Sequence, residues 1–313
     1  MNALPPSPAD GPPEVAEDGA GRRPRIAIMG EFSAGKSTLT NLLLGGSALP
    51  TRITATQLPP VWVSLGDGAS YAETVDGARF AVDLADPDGL DLTSTRFLRV
   101  FLKAEILEVC DLIDFPGISD PNMDAEVWRR LVPLADAVLW CTHATQAWRQ
   151  TEAAVWDEVP FKLHERSLLL LTRMDRLTEE RDRRKVIARV TRETDGLFAG
   201  VYPVSLTRGL AAGSDRAAWE DSGAAAMTDA LVDLVGRLSK SLGRDTGMPE
   251  RFAPRAPERV PETGDAGQGP DRPPADVAEP SHAAGRVMPK RVRPEAAGGR
   301  RPPSDGGAPA PSI

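Results

Sequence analysis

Short apolar runs and amphipathic stretches alternate along the middle of the chain. Residues 25–29 form an apolar run that stops at Gly30, and 36–44 then place apolar side chains at helical spacing. Val61-Trp62-Val63-Ser64-Leu65 predicts a second strand. Residues 71–75 and 78–82, joined by Asp76-Gly77, predict a hairpin, because Asp-Gly suits the left-handed backbone of a tight turn. Strands are predicted next over 97–102 and 107–113, then a helix over 123–134 and a strand over 137–141. A helix over 150–158, a strand over 167–171, a charged amphipathic helix over 178–198, a strand over 201–206 and a helix over 224–242 complete the series. In that last helix Met227, Leu231, Leu234, Val235 and Leu238 share one face, which predicts packing on a sheet, with a dimer contact as the alternative. The alternation predicts an α/β fold with a mostly parallel sheet covered by helices on both faces.

Composition changes the picture at the two ends. The 29 prolines and 28 glycines concentrate there, and large apolar residues are scarce. Residues 1–23 therefore read as a disordered arm and 244–313 as a disordered Pro/Gly/Arg-rich tail, leaving one domain over 24–243. The end of the tail is basic through Arg286, Lys290, Arg291, Arg293, Arg300 and Arg301. A solvated tail is the simple reading, and contact with a partner or an anionic membrane is the alternative. A net charge of −8 with a pI near 5.1 argues against nonspecific nucleic-acid binding. Two cysteines, Cys110 and Cys141, lie in apolar runs without metal-ligand or disulfide spacing, as suits a reducing compartment. With neither a secretory pattern nor a long apolar run, the expected location is cytoplasmic.

Gly30 to Ser37, Gly-Glu-Phe-Ser-Ala-Gly-Lys-Ser, matches G-x-x-x-x-G-K-[ST] between a predicted strand and a predicted helix. Glycine lets the backbone wrap phosphates closely, and successive N–H groups at a helix start supply donors and positive potential. Gly30, Ser33, Ala34, Gly35, Lys36, Ser37 and Thr38 are thus the predicted phosphate cradle. Lys36 is expected to reach the β- and γ-phosphates and Ser37 to ligate Mg²⁺. Asp114-Phe115-Pro116-Gly117 closes a predicted strand; Asp114 can hold Mg²⁺ through water, and the Gly117 N–H can bond the γ-phosphate. Thr172-Arg173-Met174-Asp175 follows the strand at 167–171. The Asp175 carboxylate can accept from both N1 and N2 of guanine, a pair adenine lacks, which favours GTP and GDP over adenine nucleotides. The usual pattern is [NT]-K-x-D; Arg173 stands in place of the lysine, and its stem and planar head can still cover the base. At 204–206, around Ser205, a backbone N–H could meet the guanine carbonyl oxygen. The threonine-rich segment 49–57 lies where a switch loop would offer Thr56, or Thr54, to Mg²⁺ and the γ-phosphate, and Thr56 is preferred.

Together, 30–38, Leu49-Pro50-Thr51, Asp114-Phe115-Pro116-Gly117 and Thr172-Arg173-Met174-Asp175 resemble the dynamin family, its bacterial members above all. Ser33-Ala34 before Gly35-Lys36-Ser37, and Ala144-Thr145-Gln146-Ala147-Trp148, sharpen the resemblance, which covers roughly 24–242. It implies a P-loop GTPase domain that hydrolyses GTP with Mg²⁺ when two G domains pair across the nucleotide. Ser33 would help neutralise charge between the β- and γ-phosphates with a monovalent cation, K⁺ or Na⁺, while Lys36, Thr56 and the Gly117 N–H complete the catalytic set.

Three features depart from familiar patterns. Ile118 stands where Ras-like enzymes carry a water-orienting glutamine, and Phe32 stands where the resembled family is often polar. The long flanking helices that form a dynamin bundle and stalk are not visible in this sequence. A homodimer through G domains, or a stalk-bearing partner protein, is therefore expected, and membrane remodelling by this chain alone is not. The other reading is a regulatory binding module whose GTP state controls a partner with little hydrolysis. His143 and His164 have no partner motif and read as structural or surface histidines.

Overall fold

Residues 25–30 are buried on both faces, as the centre of a parallel sheet requires, and the fold is built outward from them. The computed structural model describes residues 21–45, 58–84, 90–91, 93–119 and 125–244. Its elements begin with β1 (Arg25–Gly30), α1 (Lys36–Leu43), β2 (Val61–Leu65), β3 (Tyr71–Thr74), β4 (Arg79–Ala81), β5 (Thr95–Leu102) and β6 (Asp111–Asp114). There follow α2 (Ala125–Arg129), β7 (Ala137–His143), α3 (Gln150–Asp157), β8 (Leu168–Thr172) and α4 (Glu180–Glu193). Last come β9 (Gly200–Pro203), α5 (Leu206–Ala212), α6 (Arg216–Asp221) and α7 (Ala224–Ser241).

The strands form one sheet in the order β4-β3-β5-β2-β6-β1-β7-β8-β9. β1 pairs in parallel with both β6 and β7, and β8 and β9 extend the parallel side. The other side carries the predicted β3–β4 hairpin, and β2 runs antiparallel to β6. This is an α/β fold with a mostly parallel sheet, as the alternation implied.

The chain leaves β1 toward one side of the sheet and returns to the other at β7. β1 is therefore the switch point where strand order reverses, and ligands in open α/β sheets bind at the carboxyl ends of strands there. Leu39, Leu42 and Leu43 of α1 pack one face together with Met227, Leu231, Leu234, Val235 and Leu238 of α7. Packing on the sheet is thus the role of that apolar stripe. Trp140, Trp156, Phe115 and Val190 pack the other face.

Several boundaries differ from the sequence reading. The apolar run expected as a strand over 107–113 starts as a 3₁₀ turn (Glu105–Glu108), with the strand beginning at Asp111. Ile106 and Leu107 in that turn, and Val109 and Cys110 just after it, are all buried, and a short apolar run cannot distinguish strand from packed turn. The helix expected over 123–134 is one short helix, α2, then a 3₁₀ turn at Val132–Leu134, because Pro133 cannot donate a helical hydrogen bond. β9 stops at Pro203, and α5 and α6 fill a stretch where no helix was expected. Residues 21–23, assigned to the arm by composition, are tied to the domain. The Gly21 N–H donates to Leu242 O at 2.7 Å, and Arg22 forks onto Asp136 at 2.6 and 2.8 Å. Residues 1–20 and 245–313, and with them most of both expected tails, lie outside the described residues.

Candidate nucleotide-binding site

At the carboxyl end of β1 the chain turns so tightly that side chains are excluded. A Cβ on Gly30, whose φ is +139°, would lie 2.0 Å from the Cys141 carbonyl oxygen of β7. Gly35 takes φ +93° as the residue that starts α1, and Ser33 is also left-handed at φ 61°. Lys36 Nζ folds back over this loop and donates to Gly30 O at 3.0 Å and Glu31 O at 2.8 Å. Ser37 and Thr38 lie half-buried on the first turn of α1. The loop is anchored from the sheet by Thr172, whose hydroxyl lies 2.6 Å from Ala34 O and 3.1 Å from Thr142 O. Tight glycines, a helix start and a lysine that closes the loop fit a polyphosphate.

The Asp114 segment runs directly across this loop. Asp114 Oδ2 accepts from Thr40 Oγ1 at 2.9 Å. Burial pushes the Asp114 carboxyl up to about 6, against the lowering effects of the Lys36 charge and the Thr40 hydrogen bond. A half-buried acid so close to the cradle fits a divalent cation, whose charge would favour its ionised form. The Ile118 N–H donates to Gly30 O at 3.2 Å, and a Cβ on Gly117 would meet Phe32 Cα at 2.8 Å. Only glycine brings the two loops this close. The Phe32 N–H donates to Ser119 Oγ at 3.2 Å, while its ring is exposed. Ile118 packs against the core instead of facing the loop as a polar group.

On the other flank stands Asp175, in a short turn after β8. Its Oδ1 accepts from Ser205 Oγ at 2.6 Å. Partial burial pushes the carboxyl up, but the Ser205 hydroxyl, its own backbone N–H and the charges of Arg176 and Arg208 outweigh that and leave it lowered. It is therefore a fixed, ionised acceptor. Arg173, at φ 56°, sends Nη2 to Ser33 Oγ at 2.9 Å and so ties this motif to the phosphate loop. Of the N–H groups at 204–206, that of Val204 donates to Leu171 O at 2.9 Å and that of Ser205 to Ser222 O at 2.8 Å, because β9 has already ended and the chain turns into α5. Ser205 reaches Asp175 through its hydroxyl.

The structure thus brings together Gly30, Ser33, Ala34, Gly35, Lys36, Ser37, Thr38, Asp114, Gly117, Thr172, Arg173, Asp175 and Ser205 at one end of the sheet. Thr56 and Thr54 lie outside the described residues. Sequence reasoning missed a third wall, the start of α3. Arg149 Nη1 and Thr151 Oγ1 reach Glu31 at 3.3 and 2.6 Å, and Trp148 is left-handed at φ 57°. The acid at Glu31, inside a loop built for anions, was the signal available. His143 caps the 3₁₀ turn at Ala144–Gln146, and His164 stacks on Trp156 at 5.0 Å, so both are structural.

Comparison with known proteins follows this geometry. No family model matches the chain. Over 165 residues it is 26% identical to Dynamin-like protein 2 of Campylobacter jejuni subsp. jejuni serotype O:23/36 (strain 81-176), across 50% of this chain and 26% of that protein. The chain therefore spans about a quarter of the length of this curated relative. Among solved structures, an oligomerised bacterial dynamin pair, described as sensing and tethering membranes at long range, is 19% identical with a TM-score of 0.48. That likeness covers 69% of this chain and 36% of the other. The G domain of the T. maritima FeoB iron transporter is 14% identical with a TM-score of 0.37, over 68% of this chain and 99% of the other.

Proposed function

We propose that this chain, which carries a dynamin-like G domain, binds GTP with Mg²⁺ and hydrolyses it when two G domains pair across the nucleotide. The observation that carries the reading is the connection of Asp175 to the phosphate loop. Ser205 fixes the carboxylate, and Arg173 of the same motif holds Ser33. A guanine acceptor and a phosphate cradle thereby form one linked unit.

In this reading Gly30 to Thr38 cradle the phosphates, with Lys36 neutralising the β- and γ-oxygens. Ser37, Thr56 and, through water, Asp114 would hold Mg²⁺, which supplies positive charge at the phosphate oxygens when bound. The Gly117 N–H would bond the γ-phosphate, and Ser33 would meet the charge that develops beside it, with K⁺ or Na⁺ as an aid. Thr172 and Arg173 steady the base-binding turn. The second G domain comes from another copy or from a larger, stalk-bearing partner.

Turnover of GTP and ATP, measured against protein concentration in K⁺ and in Na⁺, tests the proposal. The expected result is GTP-selective hydrolysis whose specific activity rises with concentration. Equal use of ATP, or a specific activity independent of concentration, would overturn it. One observation favours a second reading, a GTP-controlled binding module. Ile118 is apolar and packs against the core, so its side chain cannot orient a water. Tight GTP binding with negligible turnover at every concentration selects that reading.

A further inference from the structure

The second residue of the phosphate loop is an acid, which such a loop does not need. The Glu31 carbonyl oxygen accepts from Lys36 Nζ at 2.8 Å, so its side chain begins one residue from the ammonium expected to meet the phosphates. A free carboxylate there would repel a polyphosphate, in a cradle that otherwise presents N–H donors and a cation.

The carboxylate is turned aside and matched. Oε1 accepts from Thr151 Oγ1 at 2.6 Å, and Oε2 accepts from Arg149 Nη1 at 3.3 Å. Both donors stand at the start of α3. The Arg149 N–H in turn donates to the buried carboxylate of Glu152 at 3.0 Å, which also accepts from Trp140 Nε1 and Thr142 Oγ1 at 3.0 and 2.9 Å. Burial pushes the Glu152 carboxyl up, and the charge of Glu31 adds to that, so the two acids feel each other. Among the described residues, Arg149 makes the one ion pair given to Glu31.

We propose that Arg149 is a positioning residue of the nucleotide site: with Thr151 it holds and neutralises Glu31, so that the loop's own acid does not oppose the triphosphate. The inference rests on reading Gly30 to Ser37 as the phosphate cradle. Arg149 itself need not touch the nucleotide. Its effect is electrostatic, is passed through Glu31, and is larger for GTP than for GDP because the triphosphate carries more charge.

Affinity of the full chain for fluorescent GTP and GDP analogues with Mg²⁺, at low and high ionic strength, provides the test. Arg149→Ala should weaken GTP binding about tenfold at low salt and GDP binding less, with the difference shrinking as salt rises. Arg149→Lys keeps the charge and should stay within about threefold of the parent. The decisive variant is Arg149→Ala combined with Glu31→Gln. It lacks the ion pair as completely as Arg149→Ala, yet should recover GTP affinity to within about twofold of the parent. A double variant as weak as Arg149→Ala would mean that Arg149 acts by structure or direct contact, and would overturn the proposal. So would an Arg149→Ala protein that binds GTP as tightly as the parent. Failure of the parent chain itself to bind either analogue would instead sink the nucleotide reading beneath it.

Discussion

Ser205→Ala isolates the contact that makes Asp175 a fixed acceptor. The change removes one hydroxyl, 2.6 Å from Asp175 Oδ1, and leaves the backbone bond from the Ser205 N–H to Ser222 O in place. A hydrogen bond to a charged group contributes about 1.5–3 kcal/mol, with the upper part of that range reserved for desolvated pairs. The Asp175 side chain is 24% exposed, so the lower end applies, about 1.5 kcal/mol. If guanine recognition depends on that orientation, the GTP dissociation constant rises about tenfold. Charge is not the cause. Without the hydroxyl the Asp175 carboxyl moves up toward its ordinary 3.8, so it remains ionised at neutral pH in both proteins. Titration with fluorescent GTP and ATP analogues, with thermal unfolding as a control, reads the effect. Selective loss of GTP affinity with an unchanged affinity for ATP supports the reasoning. An equal loss for both nucleotides, or no loss for GTP, refutes it, since the hydroxyl would then serve packing or nothing.

Three further outcomes follow from the same geometry. Gly30→Ala places a Cβ 2.0 Å from a carbonyl oxygen of the adjacent strand, where backbone on both sides blocks relief, and should destabilise the fold by about 3 kcal/mol or more, measured by urea unfolding. For Asp114, burial raises the carboxyl to about 6, above its ordinary 3.8. Native protein therefore binds more protons than unfolded protein between those values, so metal-free stability falls as pH rises through that window and levels off above it. Protons compete with Mg²⁺ for the ionised form, so the Mg²⁺ concentration for half-maximal GTP binding should rise about tenfold between pH 7.5 and pH 5. An unchanged Mg²⁺ requirement would remove Asp114 from the metal site.

The parts of the site that follow from local pattern were legible in the sequence. Gly30 and Asp114 each sit where an apolar run ends, Lys36 opens the helix that follows Gly30, and strand ends at a switch point are where ligands collect. Contacts between distant residues were not. Ser205 reaches Asp175 across 30 positions, and Arg149 reaches Glu31 across 118, and no periodicity links either pair. The short helices α5 and α6 escaped notice for a different reason. Leu-Thr-Arg-Gly-Leu-Ala-Ala offers two large apolar residues, too few for a helical period, and only Leu206 and Gly209 of α5 are buried. Pro133 interrupts the helical hydrogen bonding that the apolar spacing around it would otherwise support.

Backbone strain marks the same face independently. Among the described residues, Ser33, Trp148 and Arg173 are the non-glycine positions with positive φ, at 61°, 57° and 56°. Each costs about 1–2 kcal/mol for an L residue, against a typical folding stability of about 5–15 kcal/mol. Glycine would remove that cost at every one of them, so the side chains have to account for it. For Ser33 and Arg173 the account is their mutual hydrogen bond, which only two left-handed turns facing one another bring together. For Trp148 it is the ring, set edge-on against Trp140 at 6.3 Å and Phe198 at 5.4 Å, while its backbone N–H donates to Thr142 Oγ1 at 3.1 Å whatever the side chain. Thr142 in turn donates to Glu152, the acid that caps Arg149. The strained positions therefore lie along one connected path from the turn after β8, through the loop between β1 and α1, to the start of α3. That path borders the proposed nucleotide site, and its energetic cost is offset by the packed sheet beneath it.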